Sequence, residues 1–252
     1  MKTYLVLFLI LSTFVMSAFM HQTSTPKKDS NTFVVVELFT SEGCSSCPAA
    51  DKLLSKLVKQ AENSGEQIYP LAFHVDYWNY LGWKDPFSQK EFSVRQRKYA
   101  KALQSKVYTP QMVFNGKAET VGSNTSKVKT KMEEAAKRIT SYTIEVDPVL
   151  DKSESEITVA FKVSGDTEGK VINLALVEKM LKVEVSRGEN GGKTLEHDNV
   201  VRAFKTLPLS DGDEHKETLA LPSGISLENA SVVAYIQDME SLEILAAVQE
   251  VL

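Results

Sequence analysis

Residues 32–39, TFVVVELF, form an unbroken apolar run rich in valine, which predicts a buried strand. The stretch 48–63, PAADKLLSKLVKQAEN, sets Leu53, Leu54, Leu57 and Val58 at helical spacing behind a proline suited to a first turn. A second apolar strand is predicted over 67–78, QIYPLAFHVDYW. Strand, helix and strand in that order imply a parallel pair with a right-handed crossover. Residues 79–91 read as a loop around Gly82 and Pro86, and 88–103 as a helix. VYTPQMVFNG, 107–116, reads as a strand interrupted by Pro110 and closed by an Asn-Gly hairpin turn, with KAETVG returning. A polar-faced helix is predicted over 123–139.

Near residue 141 helical spacing gives way to alternation. In EITVAFKV, Ile157, Val159, Phe161 and Val163 point one way. Gly165, Gly188, Gly191-Gly192 and Asp211-Gly212 separate such runs. Seven or eight short strands over about 110 residues predict an all-β antiparallel sandwich domain for 141–252, after an α/β domain over 32–140.

The first twenty residues stand apart. A lysine at position 2 precedes an uncharged apolar run, the pattern of a secretory signal peptide. The run is nearly long enough to span a bilayer, so an uncleaved N-terminal anchor is the alternative. It holds no cysteine, which excludes a lipoprotein signal. Residues 21–31, HQTSTPKKDSN, read as a polar tether. Together these imply export to the periplasm or cell envelope, with membrane attachment only through the N-terminal segment. The net charge of −4 and the lack of a basic stripe give no reason to expect nucleic acid.

Export sharpens the reading of the two cysteines, Cys44 and Cys47, in SEGCSSCPAAD. Disulfides persist in such compartments. This close pair would shut a very short loop and stabilise little, so a chemical role is expected before a structural one. The pair sits between a strand and a helix. The helix N-terminus there supplies unpaired N–H groups and partial positive charge, both favouring thiolate. Cys44 is the expected nucleophile and Cys47 the resolving thiol. The dithiol is itself the redox group, so no bound cofactor is required.

Strand, CxxC, helix, strand, helix, Thr-Pro strand, hairpin and helix resemble the thioredoxin fold. The resemblance implies a thioredoxin-like α/β domain followed by the all-β antiparallel sandwich. It implies that Thr109-Pro110 is cis and contacts substrate beside the sulfurs. It also makes Glu37 the candidate proton carrier for the resolving cysteine, one residue further upstream than usual. A closer resemblance rests on ELFTSEGCSSCPAAD, FHVDYWNYLGWKDPF, RQRKYA, VYTPQMVFNG and RGENGGKTLEHDNVVR. It covers nearly all of the chain after residue 31. It is to a family of bacterial secreted proteins still classed as a domain of unknown function and grouped with thioredoxin-like proteins.

The expected activity is thiol–disulfide exchange on envelope proteins or small thiols, with a redox recycling partner. Trp78 and Trp83, on a loop near the CxxC, are candidate substrate contacts or packing residues. Two alternatives stand beside exchange. One is a copper or other thiophilic metal carrier using Cys44, Cys47 and His74. The other is a partner-binding protein with an idle CxxC. Asp76 shares the His74 face of an extended strand and could orient it. Glu42 reads as solvated, and His197, Asp198 and Asn199 as a turn and strand entry.

Overall fold

A computed structural model describes residues 32–150, 155–209 and 215–252 of the protein. The expected signal or anchor, the tether and the Asp211-Gly212 turn lie outside the described residues. Among those residues no helix is long and apolar enough to cross a membrane.

The order is β1 (Val34–Thr40), α1 (Cys47–Ser64), β2 (Ile68–His74), α2 (Lys90–Ala102), β3 (Gln111–Phe114), β4 (Ala118–Val121) and α3 (Thr125–Ala135). There follow β5 (Thr143–Leu150), β6 (Glu156–Ser164), β7 (Lys170–Glu178), β8 (Leu181–Glu184), β9 (Thr194–His197) and β10 (Val200–Pro208). Last come β11 (His215–Ala220), β12 (Ala230–Asp238) and β13 (Ile244–Val251). β1 and β2 run parallel, as the crossover reading requires, and β3 adds antiparallel to β1.

The expected architecture, a thioredoxin-like α/β domain followed by a sandwich, is not what forms. The protein is mostly β, and a single mixed sheet of eight strands, ordered β13-β12-β7-β10-β2-β1-β3-β4, runs through both halves. β10 lies beside β2, where Val200 pairs with Ala72 in parallel and the Ala72 N–H donates to the Asn199 carbonyl at 2.9 Å. The physical reason lies in β2. All seven of its residues are buried, so it is a central strand whose second edge must be covered.

Alternation then builds the three larger of four apolar clusters among the described residues. On one face of the sheet, Val35, Phe39, Phe73, Ala175, Val177, Val233 and Tyr235 join Phe92 and Tyr99 of α2 in one apolar cluster. On the other face Val34, Val36 and Leu38 pack against Ala50, Leu54, Leu57 and Val58 of α1. Further along that face Ile172, Leu174, Leu176, Val232 and Ala234 meet Ile157, Val159 and Phe161, from the three-stranded sheet β11-β6-β5. Successive residues of β1 and β12 therefore enter different cores. A two-stranded ribbon, β8-β9, remains outside these sheets.

Candidate functional site

The site is the loop between β1 and α1 and what surrounds it. Residues 41–46 leave the buried strand end at Thr40 and enter α1 at Cys47, with Pro48 in its first turn. The Cys44 N–H donates to the Ser41 carbonyl and the Cys47 N–H to the Cys44 carbonyl, both at 3.2 Å. Gly43 makes room: a Cβ there would stand 3.1 Å from Trp78 Cβ. The far half of the chain holds this loop. Asn190 Nδ2 donates to the carbonyls of Glu42 and Cys44, each at 2.9 Å. The Ser45 N–H donates to Glu189 Oε2 at 2.8 Å.

Cys44 and Cys47 are free thiols, and both are buried. Thr109-Pro110 is a cis peptide, as the resemblance implied. The Cys44 thiol donates to the Thr109 carbonyl at a sulfur distance of 3.9 Å and lies 3.2 Å from Ser46 Oγ. Trp78 Nε1 donates to Thr109 Oγ1 at 2.8 Å, and Trp83 Nε1 to Glu42 Oε2 at 2.7 Å. Both tryptophans are half-buried, so each ties the loops around the dithiol while keeping part of its ring accessible.

The two sulfurs are electrostatically unlike. The hydrogen bond from Cys47 lowers the Cys44 thiol from 9.0 to about 6 against the opposing effect of burial, with Ser46 and Thr109 helping. Burial pushes Cys47 far above the usual thiol range, and the hydrogen bond to Cys44 and the charge of Asp51 push the same way.

Glu37 is not beside the sulfurs. It stands on the opposite face of β1, fully buried, where Arg95 grips it with Nε at 2.9 Å and Nη2 at 2.7 Å. The Tyr235 hydroxyl donates to the same carboxylate at 2.7 Å. The carboxylate placed behind Cys47 is Asp51, four residues on along α1, whose Oδ1 accepts from Thr40 Oγ1 at 2.8 Å. Burial raises its carboxyl, and the charges of His197 and His74 oppose that rise.

His74 does not join the sulfurs either. Its Nδ1 is 2.7 Å from Asp85 Oδ2, so Asp85 orients it, whereas Asp76 takes a hydrogen bond from Ser93. Among the described residues no group of three or more His, Cys, Asp or Glu side chains is arranged to hold a metal ion. Glu42 is buried, not solvated, and its backbone N–H donates to Asp85 Oδ2 at 2.9 Å. His197 arrives at the end of β9, 2% exposed, with its ring edge-on to His74 at 4.9 Å between centroids. Sequence reasoning missed Asp51, Asp85, Asn190 and the contribution of His197. Asp51 carried a usable signal, being one helical turn past Cys47 on the face that holds Leu54 and Val58.

Fold and site together define a mixed-sheet protein with a Cys-Ser-Ser-Cys pair at a strand-to-helix junction, backed by buried carboxylates and histidines. The chain belongs to the family described as "Protein of unknown function (DUF1223)", which matches residues 35–237. It is similar to the crystal structure of protein AGR_C_4864 from Agrobacterium tumefaciens, with 26% identity and a TM-score of 0.62, over 86% of this chain and 93% of that one. HBP35 of Porphyromonas gingivalis shares the fold, with 16% identity and a TM-score of 0.63, over 88% of this chain and 76% of that one. No curated protein matches the chain.

Proposed function

We propose that the protein is an exported thiol–disulfide oxidoreductase acting on envelope protein thiols or disulfides, or on small thiols. The observation that carries this reading is the division of labour between the sulfurs. Cys44, beside the Thr109-Pro110 backbone, is held near a thiolate, whereas Cys47 is kept protonated behind it. That is the arrangement an attacking thiol and a resolving thiol require. Asp51 is the acceptor for the Cys47 proton. Thr109, Pro110, Trp78 and Trp83 line the approach, and the 1% exposure of Cys44 restricts it to a narrow disulfide.

The test has two parts. Equilibration of the protein in glutathione buffers, read by alkylation of free thiols, should give a reversible potential between about −120 and −270 mV, the range of known exchange catalysts. Cys47→Ser should then trap a mixed disulfide on Cys44 that the wild type releases. A bond that resists reduction well below about −300 mV would mark a structural disulfide and end the proposal.

A further inference from the structure

The buried polar cluster behind Cys47 has more hydrogen-bonding capacity than partners. His197 Nε2 faces Glu42 Oε1 at 3.3 Å and its Nδ1 faces Asp51 Oδ2 at 3.9 Å. Among the described residues none of these four atoms has a hydrogen-bond partner, nor has His74 Nε2. A neutral imidazole donates from one nitrogen only. Were both carboxylates ionised, a neutral ring would turn a lone pair towards one of them, and buried polar groups left in that state are costly; burial works against an ionised Asp51, and positive charge on the His197 ring works for it. Doubly protonated, it would present an N–H and a positive charge to both carboxylates, at 3.3 and 3.9 Å. The other ionisable groups facing the ring, His74 and Asp85, are already engaged with each other. Asp51 also lines a groove of about 410 Å³ with Lys52, Lys56 and Glu196, which gives the cluster a route to solvent.

We propose that His197 is the positive charge behind the dithiol, a ring protonated on both nitrogens between Glu42 and Asp51 that keeps Asp51 ionised and ready to accept from Cys47. The inference rests on the exchange reading. In the resolving step the Cys47 thiol gives its proton to Asp51, and its sulfur forms a bond to the sulfur of Cys44. The bond between Cys44 and the substrate sulfur breaks, its electron pair leaves on that sulfur, and a proton from water completes the released thiol. The dithiol is oxidised by two electrons and the substrate disulfide is reduced. Asp51 then returns its proton through the groove. His197 touches no sulfur, so it is a positioning residue.

The experiment uses an aromatic disulfide whose released thiol is coloured. Attack by Cys44 loads the mixed disulfide, and closure by Cys47 releases the second coloured thiol. Both phases are followed between about pH 5 and pH 9. In His197→Gln, closure should slow about tenfold near neutral pH and recover with added base, its profile displaced upward by about one pH unit. The first phase, at a sulfur outside the cluster, should keep its rate. A closure profile that superimposes on the wild type overturns the inference, whatever happens to stability. Should the variant not fold, wild-type protein with nitrogen-labelled histidine decides: reduced His197 should carry protons on both ring nitrogens at neutral pH, and a neutral ring would overturn the inference. A wild type that never loads Cys44 ends the exchange reading and this inference with it.

Discussion

Replacing Cys47 by alanine removes the largest influence on Cys44, the hydrogen bond that lowers its thiol from 9.0 to about 6. Near pH 7 the wild-type thiol is ~90% ionised, against ~1% for one at the ordinary value. Thiolates lose nucleophilicity as they become less basic, with a Brønsted coefficient near 0.4–0.5, so the thousandfold gain in acidity costs about twentyfold in intrinsic reactivity. The net advantage is about fivefold near neutral pH. Burial slows every variant, so the midpoint of the rate against pH is the quantity to read, by iodoacetamide alkylation and mass spectrometry. It should fall near pH 6 in the wild type. In Cys47→Ala it should move upward, because only the smaller contributions of Ser46 and Thr109 then oppose burial. Cys47→Ser keeps a hydroxyl donor and should retain most of the lowering. An unmoved midpoint in Cys47→Ala, or equal midpoints in the two variants, would refute the assignment. The same group links stability to pH. Its folded value lies below its unfolded one, so the reduced protein gains stability as pH rises from about 6 to 9.0 and loses it as pH falls through 6. The thousandfold change corresponds to ~4 kcal/mol at most. Cys47, pushed the other way, adds a cost only above the ordinary thiol value.

Arg95→Leu leaves Glu37 buried without its cation and should cost about 3–5 kcal/mol in urea unfolding, while the Cys44 midpoint stays in place because Glu37 lies on the other face of the sheet. Asn190→Ala removes both hydrogen bonds from its amide to the 41–46 loop and should cost about 1–3 kcal/mol, with hydrogen exchange quickened at that loop.

Local chemistry was legible in the sequence and assembly was not. Valine-rich runs and leucine spacing locate β1, α1 and β2 because each is decided by its own periodicity. The cysteine pair and Thr109-Pro110 could be joined through resemblance. What escaped depends on strand neighbours distant in sequence. Nothing in β2 alone says that β10 will cover its edge, and without that pairing His197 has no reason to stand beside Asp51. Glu37 was misplaced by a single step of alternation, which sends a side chain to the opposite face of a strand. Glu42 and Asp85 look like surface charges until the neighbours that bury them are known.

Asn190 and the cysteine loop it clamps are 146 residues apart. A chain made from its N-terminus therefore exposes its thiols long before the clamp exists. Pairing so distant also delays folding. Until residue 190 has been made, the loop that carries Cys44 lacks the two hydrogen bonds that fix it in the folded protein.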